Sequence, residues 1–142
     1  MQSNVVLSIR GEQIYMGQDP DVIELVTEGE LKARDGGWDL RYEESDLTGL
    51  SGVTTTFRIE GEKIILSRTG KLNSQMIFQE GVAHDSLYQV EFGALMITVC
   101  ATKVAYDLTE EGGTVDLSYK IELEKSAAGQ IDYHLQIRKK CE

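Results

Sequence analysis

The chain has 142 residues, and its 24 acidic against 14 basic side chains give a formal net charge of −10 and a pI near 4.7. Such a field repels phosphate backbones and anionic lipid surfaces, which excludes nucleic acid and membranes as partners. A single domain over 1–142 can bury about two thirds of its unfolded surface without disulfides or metals, and the opening "MQSNVVLSIRGEQ" has neither a basic leader region nor an extended apolar run, so a soluble, cytoplasmic protein is expected.

Period-2 alternation runs through almost the whole sequence, with Gly-containing turns at short intervals, and helix signals are nearly absent. The first strand is expected over 3–10, followed by a loop holding the sole proline, Pro20, where it cannot break a ladder. The second covers 22–34. Asp35-Gly36-Gly37 then supplies a tight hairpin turn into "GWDLRYEES", 37–45. There Trp38, Leu40 and Tyr42 share a face, and Glu44 is the next residue in that apolar row. The connection 45–52 leads to strands over 53–60, 63–69 and 73–80, whose candidate inner rows are Val53, Thr55, Phe57 and Ile59, then Ile64, Leu66 and Arg68, then Ser74, Met76 and Phe78.

Further strands follow over 84–92 and 95–107. In the latter the apolar phase slips from Leu95, Ile97, Val99 to Val104, Tyr106, Leu108, which requires a bulge near 101–103. "TVDLSYKIEL" places Val115, Leu117, Tyr119, Ile121 and Leu123 on one face, and "QIDYHLQIR" does the same with Ile131, Tyr133, Leu135 and Ile137. About ten strands in sequential hairpins would leave long edges on a flat sheet, so the expected fold is all-β: one antiparallel up-and-down barrel.

The familiar catalytic signatures are missing. "GLSG" at 49–52 has the wrong spacing and context for a nucleophilic Ser51. His134 falls on a polar strand face, His84 stands beside Asp85 without further ligands, and Glu110-Glu111 lacks alternating oxygen ligands, so no metal and no cofactor is expected. Cys100 and Cys141 read as two free thiols.

What stands out is polar residues in apolar phase. In a meander, Glu44, Thr55, Arg68 and Ser74 fall at one end of the barrel, with Glu44 and Arg68 two strand spacings apart, roughly 10 Å, a gap their side chains can close. Inward charges of opposite sign should pair. The same end is expected to carry the long connections, 11–21, 45–52 and 125–130, whereas the other has short turns apart from "DLTEEGG". A salt bridge that plugs the barrel is one reading. The other makes Arg68 an anchor for an anionic ligand group, with Glu44 holding it and Tyr42, Tyr88 and Tyr119 lining the cavity. A bulge at Glu43-Glu44 would turn Glu44 outward and remove the site.

"YEES", "TTTFRI", "ILSRTG", "QMIFQEG", "YQVEFG" and "GGTVDLSYKIEL", in this order and spacing, resemble the YwiB-like family, small bacterial proteins of unknown function. The resemblance spans nearly the whole chain. It implies a calycin-like, lipocalin-related β-barrel in a bacterial cytoplasm and brings no catalytic residues with it. Glu44 and Arg68 match the family's "YxE" and "RxG" pieces. The expected function is a non-enzymatic binding module for a small, partly apolar ligand with an anionic group. The alternative is an interaction protein with a packed interior that self-associates, for instance as a homodimer, or binds another protein. An enzyme with Glu44 as general acid or base ranks third, because an ion pair with Arg68 favours the ionised carboxylate.

Overall fold

The computed structural model describes residues 2–14, 19–44, 51–90, 93–124 and 126–140, with only the backbone described at 2, 3, 88, 90 and 126–128. Ten strands make up these residues: β1 (Gln2–Ile14), β2 (Asp21–Arg34), β3 (Gly37–Glu43), β4 (Val53–Glu60), β5 (Lys63–Gly70), β6 (Ser74–Gln79), β7 (Ala83–Val90), β8 (Gly93–Thr109), β9 (Gly112–Leu123) and β10 (Ser126–Lys139). They form one antiparallel sheet in the order β6-β5-β4-β3-β2-β1-β10-β9-β8-β7. Every neighbour is sequential except β1 and β10, whose ladder joins the two ends of the chain. This is the meander barrel expected from the alternation.

The alternating residues decide which face is inside. Along β4 the row Val53, Thr55, Phe57, Ile59 is buried, and along β6 so are Ser74, Met76 and Phe78, while the residues between them are partly or wholly exposed. The register shift of β8 falls between Ala101 and Lys103, where the apolar phase slips, so that Ile97, Val99 and Ala101 point inward before it and Val104, Tyr106 and Leu108 pack against the core after it. Pro20 lies outside the strands.

Three connections differ from expectation. The first is shorter because β1 does not stop near residue 10 but continues to Ile14, with Gln13 paired to Asp21 and Ile14 to Gln130, so that 11–14 belong to the wall and not to a loop. Residues 125–130 are not a long loop, because β10 begins at Ser126, paired with Leu123, and a bulge between Ala127 and Gly129 restores the phase. Small residues have weak strand propensity, and here the neighbouring β9 ladder overrides it. Lys125, Tyr15 to Gln18 and 45–50 lie outside the described residues. The "DLTEEGG" connection is likewise short, since only Glu110 and Glu111 separate β8 from β9.

Gly113 is what allows that hairpin to close. Its φ is +146°, and a Cβ there would sit 1.8 Å from the Asp107 carbonyl oxygen. Gly113→Ala should therefore cost about 3 kcal/mol, the upper end of backbone strain, read as a lower urea midpoint at unchanged slope. A midpoint equal to that of the parent would contradict this account.

The barrel is incompletely laddered at one place. β6 and β7 touch through single bridges at Asn73 and Gln89 and at Gln79 and Val82, and between those points they are not neighbours in the sheet. The inward row of β7, His84 and Ser86, offers little apolar surface to draw it against Met76 and Phe78. Closure comes instead from a parallel bridge between Glu80 and Ala101, with the Gly81 N–H donating to the Ala101 carbonyl at 3.0 Å.

Candidate functional site

Ladder register brings the polar inward residues together. Tyr42 lies opposite Thr55, Thr55 opposite Arg68, and Arg68 opposite Ser74. Glu44 stays in phase just beyond β3 because its N–H donates to the Val53 carbonyl at 2.9 Å, so no bulge turns it outward. Thr55 is fully buried, and Glu44 and Ser74 are each 9% exposed.

The carboxylate of Glu44 is well supplied with donors. Thr55 Oγ1 donates to Glu44 Oε2 at 2.6 Å, and the Tyr42 phenol is hydrogen-bonded to the same carboxylate. Arg68 is closer to it in charge than in hydrogen bonding: Nε lies 4.0 Å from Oε2, beyond hydrogen-bond range, and this buried nitrogen has no partner. Burial opposes the guanidinium charge, but the oxygens of Tyr133 and Tyr42 and the Glu44 carboxylate outweigh it, so Arg68 is held more firmly protonated than usual.

Burial, reinforced by the nearby Glu44 charge, pushes the Tyr42 phenol far above its ordinary value of 10.0. A phenol that stays protonated when folded but ionises near pH 10 when unfolded contributes stability in full below about pH 10 and loses it as pH climbs, by up to about 1.4 kcal/mol per pH unit. Tyr42→Phe should flatten that alkaline loss by one proton's worth while costing about 1 kcal/mol near neutrality for the lost hydrogen bond. Urea denaturation between pH 8 and 11 checks both, and an unchanged alkaline slope would disprove the first.

Two spaces meet at Arg68. Inside the barrel, a cavity of about 300 Å³ is bounded by Tyr42, Tyr119, Tyr133, Leu25, Met76 and Arg68, and Glu44 also reaches it. Between β6 and β7 lies a more open slot of about 770 Å³, bounded by Arg68, Ser74 and Gln75 on one side and Asp85, Ser86 and Leu87 on the other. The hydroxyls of Ser74 and Ser86 are buried without partners, as is His84 Nε2.

Of the residues singled out in the sequence, Glu44, Thr55, Arg68 and Tyr42 thus form one connected group, and Ser74 joins it at Arg68. Tyr119 lines the cavity, its ring 4.5 Å from that of Phe78. The Tyr88 side chain lies outside the described residues. Sequence reasoning missed Tyr133, read only as one of the apolar row of its strand, and Ser86, although "HDSLY" places Ser86 in inward phase between His84 and Tyr88. His134 is exposed, with Nδ1 2.6 Å from Asp116 Oδ1, in keeping with a solvated strand face. Cys100 is a free thiol, and Cys141 lies outside the described residues. Among the described residues no helix is long and apolar enough to cross a membrane.

The model of a domain of unknown function, DUF1934, matches residues 7–137. The chain belongs to the DUF1934 family. Among solved structures it is similar to the ywiB protein from Bacillus subtilis, with a TM-score of 0.87 at 19% identity over 99% of this chain and 94% of that one. At this identity the likeness concerns the fold, which is the barrel described above. No curated protein matches the chain. The family carries no assigned function, so the chemistry of this DUF1934 barrel must be argued from its own residues.

Proposed function

We propose that this DUF1934 protein is a non-enzymatic barrel that binds a small, partly apolar ligand in its interior, with an anionic group of the ligand at Arg68. The observation that carries this reading is the interior cavity of about 300 Å³ beside a buried guanidinium whose Nε lacks a hydrogen-bond partner. An unmade hydrogen bond of a buried donor costs about 1 to 3 kcal/mol, so an acceptor on a ligand would recover free energy that the empty protein forgoes. The remaining walls suit an apolar or aromatic body.

A binding role also agrees with the state of Glu44, whose oxygens accept from Thr55 and Tyr42 and which sits beside a positive charge. Such a carboxylate serves as a hydrogen-bond acceptor that fixes its neighbours in place. A calycin-like, lipocalin-related assignment and a cytoplasmic bacterial setting belong to this reading, since such barrels hold single small ligands in their mouths. Native mass spectrometry of gently purified protein tests it: a retained mass of one small molecule per chain is expected. Bare protein at every preparation, together with no uptake of added amphiphiles, would overturn it.

The rival reading is an interaction protein with the ion pair as a plug. It is favoured by the apolar side chains left on the outer wall, among them Val26 at 68% and Leu87 at 53% exposure. The same spectrum would then show dimers or a bound protein.

A further inference from the structure

We infer that the slot between β6 and β7 holds the carboxylate head of the ligand, that the tail lies in the interior cavity, and that the ligand class is a monocarboxylate with a short aliphatic or aromatic tail. This rests on the proposed binding reading and adds to it a route, a head-group site and a chemical class.

The route follows from the sheet. Everywhere else in the barrel wall, ladders fill the space between strands, but β6 and β7 are joined only by the bridges at Asn73 and Gln89 and at Gln79 and Val82. These bridges close the two ends of a lateral window. Its lining takes side chains from both sheet faces: Gln75, Ile77 and Leu87 from the outward rows, Arg68, Ser74 and Ser86 from the inward ones. A space lined from both faces is placed to serve as the passage through the wall in this proposal. Arg68 borders this window and the interior cavity alike, so an anion held there can extend its tail inward.

The head-group site follows from the unpartnered polar atoms. Arg68 Nε, Ser74 Oγ and Ser86 Oγ are buried without hydrogen-bond partners, and all three residues line the window. Ser74 is 9% exposed and lies opposite Arg68 in the β5 and β6 ladder. A positive donor with Ser74 beside it and a second hydroxyl, that of Ser86, on the same slot matches a carboxylate, which accepts several bonds at once.

The charge of the head is limited by its surroundings. One guanidinium faces the window, while Glu44 is 4.0 Å from Arg68 and Asp85 lines the outer rim. With two carboxylates nearby, a singly charged head is favoured over a dianionic phosphate. The tail is limited by volume. At about 30 Å³ for a water-sized group, a cavity of about 300 Å³ takes a tail of at most roughly ten non-hydrogen atoms, which leaves ample room for the hydrocarbon tail of octanoate.

The test uses the intact chain, with calorimetry and amide NMR shifts, and three probes: octanoate, its neutral isostere octanamide, and inorganic phosphate. Octanoate should bind at least about tenfold more tightly than octanamide, the margin of a charge-assisted hydrogen bond. Its shifts should span Gln75, Ser86 and Leu87 on both sides of the window, and phosphate should not compete. In the Ser74→Ala/Ser86→Ala double variant, with folding checked by its amide spectrum, the preference for octanoate should fall to a few-fold because octanoate, the stronger acceptor, loses more affinity than octanamide. Octanoate binding with shifts confined to the loop end around Gln13 and Ile23 would overturn the window while leaving the cavity reading intact. Phosphate binding as well as octanoate would overturn the monocarboxylate class. Failure of both octanoate and octanamide to bind would remove the inference and the cavity reading together.

Discussion

Replacing Arg68 by Leu is expected to destabilise the fold by about 3 kcal/mol, because it leaves the Glu44 carboxylate buried without a compensating positive charge. The side chains of Arg68 and Glu44 are only 13% and 2% exposed, so solvent screens the pair little. The expected loss sits at the low end of the range for broken buried pairs, since Thr55 and Tyr42 still donate to the carboxylate and the 4.0 Å separation forms no direct hydrogen bond. Removing both charges is a different matter. Glu44→Gln/Arg68→Leu should recover most of the loss, giving a coupling energy of about 2 kcal/mol in a double-mutant cycle. Urea denaturation of the four proteins measures it. Additive effects would mean that the two side chains do not stabilise one another, and both the plug and the anchor readings would lose their basis.

How much of this was legible in the sequence depends on how local each signal was. The ten strands, the bulge near Ala101 and the gathering of Glu44, Thr55, Arg68 and Ser74 follow from alternation plus meander order, because side chains repeat every second residue and antiparallel neighbours reverse direction. Residues 125–130 were misjudged because their small side chains carry little strand signal of their own. The window between β6 and β7 was also out of reach. Two sequential strands joined by the turn at Glu80-Gly81 read as an ordinary hairpin, and their separation depends on how the whole barrel closes. The 4.0 Å gap between Arg68 and Glu44 was equally invisible, since pairing by charge was foreseeable and hydrogen-bond geometry was not.

The second large effect concerns that closure. Phe78 is fully buried at the end of β6, and its ring meets Tyr119 of β9 at 4.5 Å between centroids, tilted by 42°. β6 has no ladder to β7, so its free side is held by side chains and by the contacts of Glu80 and Gly81 with Ala101. Phe78→Ala should therefore cost about 4 kcal/mol, the usual toll for a deleted buried Phe together with a lost aromatic pair. The loss should also be uneven. β6 is laddered on one side only, to β5, so hydrogen exchange of its β5-paired amides in Ser74–Gln79 should accelerate more than in β4 or β10, because the seam opens before the barrel unfolds. Leu40→Ala, deep in the continuously laddered wall between β2 and β4, should cost about 3 kcal/mol yet change exchange evenly. If the two variants showed the same exchange pattern, closure would not depend on Phe78, and the window would be as rigid as the rest of the wall.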